Sequence, residues 1–287
     1  LENLIMQIAL FHTTSIQEQL IREIEKSHTI KSRSIKTSKT IVLELNEILN
    51  LEQRSHLRNL GVLHQTDIGF LPKHFVPGNI KVLAMDMDST LINIECIDEI
   101  ADAVGKKKEV SEITEAAMRG EIKDFSESLR RRVALLEGVP ASSLEGVFKE
   151  RLRLNLGARE LIAGAHQKGI HTLLVSGGFT FFTQKLQNEL GLSETHANQL
   201  EIIDGQLTGK VLGNIVDGTA KAAYVEARCL ALNTNKHAAV TMGDGSNDLP
   251  MMHGAGLSIG YRAKPIVKEK ADMAFDHVGL DAWLDLL

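Results

Sequence analysis

The sequence predicts an α/β fold: a doubly wound parallel sheet with an inserted helical cap, preceded by a small α+β domain. Three observations carry this. Apolar runs at 82–85, 172–175 and 238–242, with a shorter one at 257–259, suit strands buried on both faces of a parallel sheet. Helical patterns fall between them, for example at 159–168 before Gly169 and at 221–232. From about residue 93 to 156 only helical patterns occur. There Ile97, Ile100, Ala101 and Val104 make one helical face that ends at Gly105.

In chain order, residues 4–11 read as a strand. Ser15-Ile16-Gln17-Glu18 reads as a capping box opening a helix with Leu20, Ile21 and Ile24 inward. The polar stretch 28–40 carries a weak strand signal, and 40–45 a stronger one. A helix is expected over 46–60, ending at Gly61, then a strand over 62–68. The order βαββαβ describes a ferredoxin-like α+β domain over residues 1–76. Pro77-Gly78 is a turn signal opening the second domain, 77–287, with its Rossmann-like core at 77–92 and 157–287 and its cap at about 93–156. Asp204-Gly205 inside 200–211 signals a type I′ hairpin beside the main sheet, and Trp283 is expected to dock a last helix.

A chain of 287 residues is one large or two smaller domains, and 43% hydrophobic residues suffice for a core. The net charge of −5, without a long basic run, argues against a nucleic-acid partner, so any anionic ligand needs a local site. Cys96 and Cys229 do not suggest a disulfide framework and are expected to be packed. The start LENLIMQIALF is too short and interrupted for a membrane span and lacks a signal-peptide n-region. A reduced, soluble, cytoplasmic protein is the expectation. The 11 histidines show no zinc spacing, and 106–108 reads as a solvated helix end.

The polar residues cluster where the strands stop. VLAM runs into Asp86, LLV into Ser176-Gly177-Gly178, and AVTM into a loop holding Asp244, Asn247 and Asp248. Ligands of open α/β sheets bind at the carboxyl ends of strands. Converging carboxylates call for a hard cation, most simply Mg²⁺, and the glycines beside Ser176 let backbone amides approach an anion. Asp86 and Asp88, one residue apart, repel unless something offsets their charge. Lys221 reads on spacing alone as a solvated helix lysine.

These residues resemble the four motifs of the haloacid dehalogenase superfamily of phosphotransferases: DMDSTLI at 86–92, VSGG at 175–178, Lys221, and GDGSND at 243–248. The match runs from about residue 78 to the end. Within the superfamily, DMDSTLINIECIDEIAD, EAAMRG and SLRRRVALLEGVP are similar to the branch that hydrolyses phosphoserine, the last step of serine biosynthesis. The resemblance implies that Asp86 is the nucleophile, forming an aspartyl-phosphate, and that Asp88 is the general acid and then base. It implies Mg²⁺ held by Asp86, the Asp88 carbonyl and Asp244, with Asp248 supporting the site. Ser176, Gly177, Lys221 and Asn247 would hold phosphate, which reverses the expectation for Lys221. A nearby anion is expected to keep Asp88 protonated.

For the cap the resemblance implies Glu95 for the substrate ammonium, Arg132 for its carboxylate, and Met118 and Phe125 as apolar closure. Helical geometry checks Arg132 independently: it lies about 55° from the stripe of Phe125, Leu129, Val133 and Leu136, against about 105° for Arg130 and 155° for Arg131. Between Gly120 and Phe125 the chain is one residue longer than the pattern, which puts the Phe125 contact in question. The alternatives are a phosphatase for another small phosphomonoester or phosphoamino acid, and an amino-acid-sensing regulator. The first domain resembles ACT-like extensions in coarse pattern, but its turn His12-Thr13-Thr14-Ser15 lacks the glycine of amino-acid binders. A structural or homodimer-forming role is the plainer expectation. The expected partner is a small-molecule substrate, with no nucleic acid and no membrane.

Overall fold

Residues 6–71 build β1 (Met6–His12), α1 (Glu18–Glu25), β2 (Ile30–Ile35), β3 (Thr40–Leu45), α2 (Leu51–Leu63) and β4 (Thr66–Leu71). The computed structural model describes residues 5–118, 122 and 124–287, and for Glu115, Ala117 and Met118 the backbone alone. The strands form an antiparallel sheet in the order β2-β3-β1-β4. Alternation along β1 explains why its interior is wholly apolar. Ile8 and Leu10 face Leu20, Ile21 and Ile24 of α1 and Leu57 of α2, while Ala9 and Phe11 join the larger core. Phe11 meets Phe275 edge-on at 4.9 Å.

Three local expectations are corrected here. The capping box at Ser15 does not form; Gln17 precedes α1, and its side chain donates to the His64 carbonyl instead. Helix α2 starts later than expected, because Asn50 and Gln53 form a reciprocal capping box. Gly61 lies inside α2 rather than ending it. A Cβ there would come 2.5 Å from the Thr66 carbonyl, so glycine serves close packing against the returning chain, which displaces β4 toward Leu71.

The second part runs β5 (Val82–Met85), α3 (Cys96–Ala103), α4 (Lys107–Met118), α5 (Phe125–Ala134), α6 (Ser142–Gly146), α7 (Ala158–Gln167), β6 (His171–Phe179), α8 (Thr180–Leu190), β7 (Glu194–Ile203), β8 (Gln206–Leu212), α9 (Gly218–Ala231), β9 (Ala239–Gly243), α10 (Leu249–Met252), β10 (Leu257–Tyr261), α11 (Pro265–Lys270) and β11 (Met273–Phe275). The seven strands are ordered β11-β10-β9-β5-β6-β7-β8 and are parallel except for β7–β8. Both faces are covered. Leu83, Met85, Val240 and Met242 enter one core, and Val82, Ala84, Leu173 and Ala239 the other. In the central register Met85 pairs with Leu174 and Met242, so β5, β6 and β9 end at one edge.

Helices α3 to α6 form the cap, with Ile97, Ile100, Ala101, Val110, Leu129 and Val133 buried. The hairpin does more than flank the sheet. Asp204 and Gly205 both have positive φ (50° and 76°), as a type I′ turn demands. Its strands bond to the segment after α5, Leu207 N–H to Val139 O at 2.8 Å and Gly138 N–H to Leu207 O at 2.8 Å, which ties cap to sheet. Lys106 is not a solvated helix end: its ammonium donates to the Leu135 carbonyl at 2.6 Å. Trp283 is fully buried, on a 3-10 helix over Leu280–Leu286. Among the described residues no helix is long and apolar enough to cross a membrane.

The two sheets are joined by backbone recognition. The buried Asp67 carboxylate accepts the amides of Asp276, His277 and Val278 at 3.1, 2.9 and 2.9 Å. Arg58 donates to the carbonyls of Lys268 and Ala271.

Candidate active site

Strand β5 delivers Asp86 to the carboxyl edge, where its N–H bonds the Met242 carbonyl at 3.0 Å. Its Oδ1 accepts from the Met87 amide at 2.7 Å and lies 2.8 Å from the Lys221 ammonium. The chain then turns through Ser89, at φ +56°, into the cap. Strand β6 brings Ser176, whose Oγ accepts the Gly178 amide at 2.8 Å and so keeps its own proton to donate. The glycines beside it leave room for the side chains of the site. A Cβ on Gly177 would come 2.9 Å from Phe125 Cζ, and one on Gly178 would come 2.9 Å from Asp88 Oδ2.

Strand β9 leads into the acidic loop. Asp248 accepts the amides of Asp244 and Gly245 on Oδ2, at 3.1 and 3.0 Å, and the Lys221 ammonium on Oδ1 at 2.8 Å. Lys221, on α9, has no solvent exposure. That corrects its reading from spacing: the helix face that buries Val225 and Cys229 carries this lysine inward to two carboxylates.

Burial dominates the electrostatics. It raises the pKa of Asp86, with Asp248 adding to the effect and Lys221 opposing it. Asp244 is pushed up to about 6 by burial and then by Asp248. Burial alone would lower the Lys221 pKa, but Asp248 and Asp86 more than reverse this, so the ammonium stays charged. Oxygen atoms of Asp86, Asp244 and Asp248, all buried, lie within 4.8 Å of one another. Three carboxylates around one ammonium leave a surplus of negative charge, and an all-oxygen donor set suits a hard divalent cation. Asp88 is pushed up to about 8, by burial first and then by Glu95. Burial thus acts first in holding this proton, and Glu95 is a nearby anion of the kind expected from the sequence.

A cavity of about 390 Å³ opens between this edge and the cap. Asp86, Asp88, Glu95, Phe125, Arg132, Ser176, Gly177, Asp244 and Asn247 all line it, with Lys221 and Asp248 joined to it through Asp86 and the acidic loop. Glu95 accepts the Ser89 hydroxyl at 2.6 Å. Of the three arginines, Arg130 and Arg131 are exposed and Arg132 reaches the cavity, as the helical angles predict. The Met118 side chain and residues Gly120, Glu121 and Lys123 lie outside the described residues. Asp124 caps α5 at the Ser126 amide, and Phe125 still reaches Gly177 despite the longer loop.

Four polar lining residues escaped the sequence reading: Ser89, Asp98, Thr114 and Lys264. Asp98 lies in the first turn of α3, three residues after Glu95, which precedes the helix as its N-cap. Lys264 follows the end of β10, and the strand-end rule used for the other three strands also applies to it.

The family model of haloacid dehalogenase-like hydrolases matches residues 83–253, and fold and site together define the chain as a member of that class. The phosphoserine phosphatase of Polaromonas sp. (strain JS666 / ATCC BAA-500) is 54% identical over 213 residues, 73% of this chain and 90% of that protein. The chain belongs to the phosphoserine phosphatase family and is a phosphatase. Among solved structures, a HAD family hydrolase from Salmonella enterica subsp. enterica serovar Typhi aligns with TM-score 0.86 and 30% identity over 98% of each chain. A probable phosphoserine phosphatase from Vibrio cholerae aligns with TM-score 0.81 and 33% identity, over 98% of this chain and 86% of that one. Both alignments take in the N-terminal sheet as well.

Proposed function

We propose that the chain hydrolyses L-phosphoserine to L-serine and phosphate through an aspartyl-phosphate on Asp86, the last step of a phosphorylated route to serine. The observation that carries this is one cavity lined by two sets of groups. Asp86, Asp88, Ser176 and Asp244 suit a phosphate ester, and Glu95 with Arg132 suits an ammonium and a carboxylate.

In the first step the Asp86 carboxylate attacks phosphorus, and Asp88 gives its proton to the serine oxygen as the P–O bond breaks. In the second, Asp88, now ionised, takes a proton from water. The water oxygen attacks phosphorus, the bond to Asp86 breaks, and phosphate leaves with Asp88 protonated again. Ser176 and the Gly177 amide donate to the phosphate oxygens, and Asn247 contacts them. Lys221 orients Asp86 and offsets its charge, and is the first cation for the phosphate oxygens. Asp86, the Asp88 carbonyl and Asp244 would hold Mg²⁺, with Asp248 ordering the loop behind them. When bound, the ion supplies positive charge against the phosphate oxygens. The unpaired, buried Cys96 and Cys229 fit a reducing, cytoplasmic setting.

The test is phosphate release across a panel of phosphomonoesters, with and without a chelator. Preference for phosphoserine and loss with chelator are expected. A better substrate lacking ammonium and carboxylate would point to a different phosphomonoester.

A further inference from the structure

We propose that Lys264 is a second phosphate-binding cation of this site, capturing the ester dianion at the cavity mouth; this rests on the phosphomonoester reading above. Strand β10 ends at Tyr261 on the same sheet edge as β5, β6 and β9, and the chain turns back through Arg262, at φ +44°, to Lys264. There the Lys264 amide donates to the Asp244 carbonyl at 2.9 Å, which anchors its backbone to the acidic loop. Its side chain lines the cavity, is 53% exposed, and places Nζ 3.8 Å from Asp244 Oδ2. That is close enough for attraction and too long for a hydrogen bond. Among the described residues no acceptor holds this ammonium by a hydrogen bond, unlike Lys221, whose Nζ lies 2.8 Å from two carboxylates.

The charge balance gives it a task. Among the described residues Asp86, Glu95, Asp98 and Asp244, with the protonated Asp88, line the cavity, against Arg132 and Lys264 as the cations. A divalent metal and Lys221 together are outweighed by Asp86, Asp244, Asp248 and a phosphate dianion. Arg132 sits on the cap, where burial and the charges of Asp98 and Glu95 act on it. Lys264 is the cation on the core side with a flexible stem reaching solvent. A dianion outcompetes the single carboxylate beside which the ammonium now rests, and the ammonium supplies attraction during approach.

The experiment compares Lys264→Gln and Lys264→Arg with the wild type. kcat and KM for phosphoserine are measured at low and high salt. The Kd of inorganic phosphate is measured by calorimetry in an Asp86→Asn background. Lys264→Gln is expected to raise KM and the phosphate Kd about five- to tenfold, to lower kcat less than about threefold, and to flatten the salt dependence of kcat/KM. Lys264→Arg is expected to restore most of the loss. Unchanged KM and Kd, or a fall in kcat at constant KM, would overturn the proposal. If the wild type releases no phosphate from phosphoserine, the substrate reading fails, while the phosphate Kd still decides the role of Lys264.

Discussion

The ammonium of Lys221 lies 2.8 Å from Oδ1 of Asp86, and neither group meets bulk water to any extent: Lys221 is 0% exposed and Asp86 7%. A pair so placed is not screened as surface pairs are. Removing the lysine leaves Asp86 and Asp248 buried without their shared counter-charge. Lys221→Met is expected to cost about 3–5 kcal/mol of stability, as breaking a buried pair does. The same substitution should lower kcat by about a hundredfold or more, because Asp86 would then favour the protonated, non-nucleophilic form. Chemical denaturation and steady-state rates check the two halves separately. A variant with native stability and rate would show that the pair is dispensable.

Arg132 reaches the same cavity from the opposite wall. Its guanidinium can grip a carboxylate through two parallel N–H bonds, which an ammonium cannot reproduce. Arg132→Ala is therefore expected to raise KM for phosphoserine by about 10- to 100-fold, and much less for a phosphate ester without a carboxylate. Arg132→Lys should recover only part of the loss. Equal effects on both substrates would separate Arg132 from substrate recognition.

Most of this site was legible because its chemistry sits on short-range patterns. VLAM is apolar at every position and AVTM at all but Thr241, so the strands declare themselves and so does the residue after each. Arg132 could be chosen among three arginines from helical angle alone. What stayed hidden depends on distant partners. Lys221 is buried because of Asp86 and Asp248, 135 and 27 positions away, and a lysine on a helix carries no local sign of that. Strand β11 has three residues, too few for a periodic signal, and exists through pairing with β10. Ser15 offered a capping box, but Gln17 is drawn to the carbonyl of His64, 47 positions on.

The first sheet carries a titration of its own. His12 Nδ1 lies 2.9 Å from Thr66 Oγ1, and burial, with His64 second, lowers the imidazole pKa from 6.5 to about 4. In the folded chain His12 thus stays neutral where the unfolded chain binds a proton. Its contribution to stability is complete above about pH 6.5 and is lost progressively as the pH falls toward about 4. His12→Gln removes this term. The denaturation midpoint of the variant should fall less steeply than that of the wild type between about pH 7 and pH 4.5. Parallel profiles would mean that His12 is as easily protonated folded as unfolded.

The sharpest test of how the first sheet is held is Asp67. One carboxylate accepts three consecutive amides, of Asp276, His277 and Val278, just after β11, and only 4% of the residue is exposed. Asp67→Ala leaves those amides buried without an acceptor, a loss of about 3 kcal/mol or more at the usual cost of unsatisfied donors. Asp67→Asn keeps one acceptor oxygen and should lose less. The damage should stay local, because β11 is the outermost strand, with β10 between it and β9 and β5, and the rest of the junction still holds through Arg58 and the Phe11–Phe275 contact. Hydrogen exchange should therefore speed up at His277 and Val278 before it does so in β5 or β9, with kcat changed by less than about threefold. If exchange rose equally in all of these strands, the two sheets would form one cooperative unit, and Asp67 would be a residue of the global core rather than a local clasp.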